Sequence, residues 1–168
     1  MRWLLSRRGR SLSNERTMKN ATLAKRLIGE QKMAVLSTQS KRYGGYPFGS
    51  VVGYALDAES RPVLLMSSLA VHHRNLEADP RASLTMFEDE ALADPTNSSR
   101  VTLMGEIQPV PETDLPAARA AYLIKHPDAE QWVDFGDFTI LRMDVKDVYF
   151  IGGFGSMGWI LPDDYRQA

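Results

Sequence analysis

Alternation of apolar and polar side chains dominates the middle of the chain. Between residues 49 and 56, Val52, Tyr54 and Leu56 fall on one face and Val51, Gly53 and Ala55 on the other, the period of two that a strand requires. DAESRP then reads as a turn and PVLLMS (62–67) as the returning strand, so the pair predicts an antiparallel hairpin. MAVLST (33–38) reads as a strand before it, joined by the turn-rich SKRYGGYP, where Gly44 and Gly45 permit backbone conformations other residues resist. ASLTMFE (82–88) sets Leu84 and Met86 against Thr85 and Phe87. RVTLMGEIQP (100–109) aligns Val101, Leu103 and Ile107, with Gly105 marking a bend or a close backbone approach. FTILRM and DVYFI, separated by residues 144–146, read as two further short strands.

Helical spacing is confined to a few places. Leu23, Leu27 and Ile28 form a narrow stripe, predicting a helix from near Thr17 to before Met33, capped by Thr17 or Asn20. Residues 70–79 form a short helix closed before Pro80. Leu115, Ala118 and Tyr122 predict another running to Lys125, and Pro127 opens a further one. Seven strands with short links and no regular strand–helix alternation exclude a doubly wound sheet. The expected fold is mainly β: a barrel with flanking helices, closure of which removes exposed strand edges. The organisation expected is a flexible basic extension at 1–17, a barrel domain at 18–156 and a tail at 157–168.

Composition sharpens this picture in three ways. The 168 residues contain no cysteine, which removes disulfides, thiolate metal sites and cysteine nucleophiles. No stretch approaches the roughly 20 apolar residues of a membrane span. Eight of the 20 basic residues but one of the 21 acids lie in 1–26, leaving an acidic body with twelve basic and twenty acidic groups. An acidic body argues against nucleic acid as a partner. The basic start reads as a solvated leader of a cytoplasmic protein, with organelle import left open.

The densest chemistry is SSLAVHHRN at 67–75: two hydroxyls, two imidazoles, a guanidinium and an amide directly after a strand. Such groups suit a phosphate; Ser67 or Ser68 as a plain helix cap is the alternative. The adjacent His72 and His73 do not point at one ion on a helix, so no metal site is expected. No catalytic residue is assigned, because neither a G-x-S-x-G elbow nor a phosphate-loop spacing occurs. Trp132 and Phe135 suggest a buried aromatic anchor. Arg100 reaches either Asp94 or an anionic ligand.

Taken in order, these pieces resemble a known family. They are P-x-x-S-x-x-x-Y at Pro47, Ser50 and Tyr54; S-S-L-A-x-H-x-R-N-L at 67–76; D-P-R-A-S-L at 79–84; R-V-T-L-x-G at 100–105; Y-L-x-x-H-P-x-A at 122–129; and G-G-F-G at 152–155. The set is similar to the pyridoxamine 5'-phosphate oxidase-like, FMN-binding split-barrel superfamily, in the branch of the haem-utilisation and cellular-repressor-like proteins. The resemblance implies a homodimer with flavin mononucleotide (FMN) at the interface. Ser67, Ser68, His72 and His73 would hold its phosphate with help from Arg74 and Asn75. Ser50, Val51 and Val52 would run along the flavin ring, and Pro47, Tyr54, Met66 and Arg100 complete the expected cofactor-binding set.

The resemblance thus implies a flavin-dependent oxidoreductase of unknown substrate. The C-terminal basic residues of the pyridoxamine oxidases are absent, so oxidation of vitamin B6 is not expected. No histidine follows His126, which argues against the haem turnover of longer members. The alternatives are deazaflavin F420 in the same cleft, or a non-catalytic barrel that binds haem or a protein partner in tetrapyrrole metabolism, or no cofactor.

Overall fold

A computed structural model describes residues 3–153 and 155–168, with side chains from residue 15 onward. Phe154 of the G-G-F-G motif, Arg2, and the Arg7, Arg8 and Arg10 side chains of the basic leader lie outside the described residues. In chain order the elements are α1 (Trp3–Glu30), β1 (Met33–Gln39), β2 (Pro47–Leu56), β3 (Pro62–Ser67), α2 (Val71–Ala78), β4 (Arg81–Phe87), β5 (Ser99–Pro109), α3 (Leu115–Lys125), β6 (Phe138–Gly152), β7 (Met157–Ile160) and α4 (Pro162–Gln167). Single 3-10 turns sit at Asp89–Leu92 and Pro127–Gln131.

All pairings are antiparallel, in the order β3-β2-β1-β4-β5-β6-β7, and a further pairing of β3 with β6 closes six strands into a barrel. Strand β6 makes closure possible. Its residues 138–142 pair with β3 and its residues 148–151 with β7 along one edge, while residues 141–152 pair with β5 along the other. The sequence pattern had suggested two short strands here. Residues 144–146 do not interrupt the strand; they lie beside a register shift at Met104/Gly105 of β5 that absorbs the irregularity, and Val145 between two polar residues joins the core. A Cβ on Gly105 would stand 2.1 Å from the Asp144 carbonyl oxygen, so this close approach requires glycine.

The predicted inward faces are observed. Leu36, Tyr54, Leu64, Met66, Leu84, Met86, Leu103 and Phe150 fill the barrel. Helix α1 adds Ala21, Ala24, Leu27 and Ile28 to the same core. It begins at Trp3, well before Thr17, because residues 3–16 contain no proline and are rich in arginine, a good helix former, while lacking the apolar stripe that periodicity reads. The Tyr54 hydroxyl donates to the Ile28 carbonyl at 2.5 Å and so anchors the C-terminal end of α1. Strand β7 and helix α4 were not foreseen; Tyr165 of α4 is fully buried and donates to the Ser60 carbonyl.

A second, smaller core lies outside the barrel wall, where α3 and the following turn cover Ala55, Val63 and Ile140 with Ala118, Tyr122, Ala129 and Val133. Trp132 and Phe135 are not the buried anchors expected: both are exposed, and Val133 between them faces the core.

Replacing Gly105 with Ala is expected to destabilise the fold by about 1–3 kcal/mol, the usual cost of forcing atoms into occupied space. Urea unfolding checks this, with a lower midpoint and an unchanged slope as the expected result.

Candidate functional site

Helix α2 and the β1–β2 hairpin meet at one end of the barrel. The hairpin loop closes through Ser40, whose N–H donates to the Tyr46 carbonyl and whose carbonyl accepts the Gly45 N–H. Gly44 and Gly45 take positive φ values of 56° and 90° to make the turn. Asn75 of α2 fastens the two elements: its Oδ1 accepts the Lys41 N–H at 3.0 Å and its Nδ2 donates to Thr38 Oγ1 at 3.0 Å. A fully buried amide satisfied in this way is a structural rivet.

The other residues of the 67–75 cluster are placed as follows. Ser67 Oγ donates to Asp137 Oδ2 at 2.6 Å and accepts the Leu69 N–H, while the Ser68 N–H donates to the Asp137 carbonyl. Neither serine caps α2; its N-cap is Ala70, which has no side chain able to cap. Arg74 donates to the Leu69 carbonyl and remains exposed. The His72 ring places Nδ1 3.2 Å from Ser50 Oγ. Burial, and then the adjacent His73, hold the His72 imidazole below its ordinary pKa, which favours its neutral form. His73 is 7% exposed, and its Nδ1 is buried without a hydrogen-bond partner, 3.8 Å from a Glu77 carboxylate oxygen.

The remaining expected ligand residues divide by face. Val52, Tyr54 and Met66 point into the barrel and pack there. Pro47 and Val51 lie on the outer wall, in separate hollows of about 520 and 450 Å³. Arg100 donates to the Pro95 carbonyl; the Asp94 carboxylate instead takes N–H groups of Thr96 and Asn97.

Sequence reasoning missed two cations. Lys41 and Arg42 line a cavity of about 430 Å³ with Val71, Arg74 and Asn75. Three positive side chains therefore converge where the 67–75 motif had shown one. The tight turn SKRYGG was the available signal, because folding it back onto α2 brings those charges together. Beside them lie two exposed apolar side chains: Leu69 is 74% and Val71 45% exposed. No group of three or more His, Asp or Glu side chains converges on a bare metal ion among the described residues.

The fold and this barrel end define the class: a split-barrel protein of the branch that contains the haem-utilisation and CREG proteins. The chain belongs to the CREG β-barrel family, which it matches over residues 15–167. It is 43% identical over 138 residues to the "Non-canonical heme oxygenase HOZ, chloroplastic" of Arabidopsis thaliana, covering 80% of this chain and 42% of that protein. It is 25% identical over 115 residues to human "Protein CREG1", covering 64% and 52% respectively. The chain thus spans about half or less of the length of these relatives. Among solved structures, the "heme binding protein from Mycobacterium smegmatis" superposes with a TM-score of 0.82 at 35% identity, covering 89% of this chain and 60% of that one. Among the described residues, no helix is long and apolar enough to cross a membrane.

Replacing Asn75 with Ala would leave the Lys41 N–H without its buried acceptor. The expected loss is about 1–3 kcal/mol, the cost of an unsatisfied buried group, read from urea unfolding. Hydrogen exchange at the Lys41 amide should accelerate beyond the change in global stability.

Proposed function

We propose that this barrel binds haem at the end formed by α2 and the β1–β2 hairpin, as part of tetrapyrrole handling. The observation that carries this reading is the juxtaposition of the Lys41, Arg42 and Arg74 cations with uncovered Leu69 and Val71. Haem is a flat apolar ring carrying two carboxylates, so it needs an apolar wall beside positive charge. The names of the Arabidopsis and mycobacterial relatives support the same ligand. The absence of a multi-residue metal cluster among the described residues does not oppose it, since the porphyrin itself supplies four nitrogens to its iron. Bound haem would supply a redox-active iron; the part of this chain is to seat the ring and neutralise its carboxylates.

A flavin is the second reading, favoured by the same cations, which suit the phosphate of FMN equally well. Against a phosphate at Ser67 stands the Asp137 carboxylate, 2.6 Å from that hydroxyl and of like charge. The exposed apolar side chains of the outer wall, Met33 and Val51, support a homodimer in which a second copy covers them.

Titration of the full chain with ferric haem is expected to give a saturable, shifted Soret band and quenched tryptophan fluorescence. Reversing Arg42 and Arg74 to Glu should weaken uptake roughly tenfold or more, since a charge-assisted contact is worth about 1.5–3 kcal/mol. Retention of FMN or deazaflavin F420 with no haem uptake would replace this reading with the second. Sedimentation should show twice the chain mass; a monomer at every concentration, with haem bound, would remove the dimer.

A further inference from the structure

We propose that α2 carries a second ligand site on its other face: a cavity in which His73 and Glu77 bind the protonated amine of a small, otherwise apolar molecule. This site is separate from the haem reading above and does not depend on it.

Helical spacing divides α2 between two cavities. Val71, Arg74 and Asn75 line the cationic hollow already described. His73, Leu76 and Glu77 line another, of about 470 Å³, between α2 and the paired strands β5 and β6. Residues three and four apart share a helix face, so each trio serves one cavity. The two trios are offset by two residues, which sets them roughly 200° apart around the helix. Leu76, Ile107 and Leu141 give the second cavity apolar walls continuous with the barrel core. Its size, its apolar walls and its few polar groups are those of a small-molecule pocket.

The polar end of this cavity lacks a partner. His73 is 7% exposed, and among the described residues its Nδ1 alone is a buried side-chain atom with no hydrogen bond. Buried polar atoms are otherwise satisfied, so this one marks a place for a missing group. A Glu77 carboxylate oxygen stands 3.8 Å away, too far for a direct hydrogen bond. With its proton on Nε2, the His73 ring presents a lone pair at Nδ1. Imidazole and carboxylate are then two acceptors with no donor between them. An ammonium group seated there donates to both.

Charge selects the same head group. Besides His73, Glu77 is the one ionisable side chain on the lining, and neither lysine nor arginine reaches it. Among the described residues its one ion-pair partner is His73. Glu77 also lies in the last turn of α2, where the helix dipole is negative and no basic residue is present. Carboxylate and dipole therefore act together on a positive ligand and repel an anion. The resemblance had assigned His73 to a phosphate, but this cavity holds no cation to keep one. The Glu77 side chain is 61% exposed, so it is free to follow the amine as it enters.

The test uses the full chain without haem and para-fluorobenzylamine as the probe, read by fluorine NMR. Para-fluorobenzyl alcohol and para-fluorobenzoate keep the ring while removing or reversing the charge. The amine is expected to give a saturable shift and to bind more tightly than the alcohol, with the benzoate weakest. Glu77→Gln should weaken the amine roughly three- to tenfold, the range for a half-exposed charge, and leave the alcohol unchanged. His73→Leu should abolish the preference for amine over alcohol, while its unfolding midpoint holds or rises because leucine needs no partner. Nitrogen NMR of the histidine side chains should move the His73 signals on adding the amine and leave those of His126 fixed. A chain that does not bind the amine, or binds the alcohol or the benzoate as tightly, overturns the proposal. So does amine binding that persists unchanged in Glu77→Gln, or that moves the signals of another histidine and not those of His73. If His73→Leu does not fold, Glu77→Gln and the nitrogen spectra decide the matter. Haem titration is a separate measurement, and its outcome changes none of these results.

Discussion

The barrel depends on the pairing of β3 with β6. Without those five residue pairs, Val63 to Ser67 against Phe138 to Arg142, both strands would present unpaired edges and the interior apolar faces would open to water. Closure is demanding because β6 must serve β5 along its length, β3 at its start and β7 near its end. The register shift at Gly105 lets one long strand meet these requirements together, and the absent side chain there is what allows Asp144 to approach. Burial of Leu64, Leu103 and Phe150 on the inner face then makes the closed sheet the favourable state.

Everything at the candidate site hangs from this frame. β3 ends at Ser67, whose last pairing is with Phe138. The same closure brings Asp137, the residue before β6, onto the Ser67 hydroxyl and the Ser68 N–H. That contact starts the turn into α2. Asn75 then holds α2 against the hairpin, which sets Lys41 and Arg42 beside Arg74. The site is thus an outcome of barrel closure, although most of its residues lie in two short sequence segments. His126 plays the complementary part on the far side of β2, where it binds α3 to the wall.

The relatives of this chain include one named as a haem oxygenase and one, CREG1, whose name states no activity, so the fold alone decides no chemistry. The contacts that bear on a ligand here are local: a carboxylate beside the serine expected to hold phosphate, and an imidazole whose Nδ1 lies beside the Ser50 hydroxyl. Both features follow from which polar groups satisfy one another when α2 packs.

Much of the frame was legible along the chain, for a simple reason. A strand half in water must alternate, so Val52 and Tyr54, Leu84 and Met86, and Val101 and Leu103 announced their inward faces, and the number and brevity of links announced a barrel. Periodicity reports only a residue's own neighbourhood. It could not join FTILRM to DVYFI across residues 144–146, because the partner that tolerates the break lies on β5. Nor could it see α1 before Thr17, where no apolar stripe exists, or value the four residues of β7, which are strand only because β6 extends to receive them. The motif at 67–75 was found, but the role of each member was not. The partner of Ser67 is 70 residues away and that of Asn75 is 37, and such distances are bridged only by the tertiary fold. The sequence by itself thus determined which side chains turn inward and where chemistry is dense. The tertiary structure alone decided which polar groups are consumed by the fold and which nitrogen is left over, because hydrogen-bond satisfaction is a property of packed neighbours and not of the order of residues.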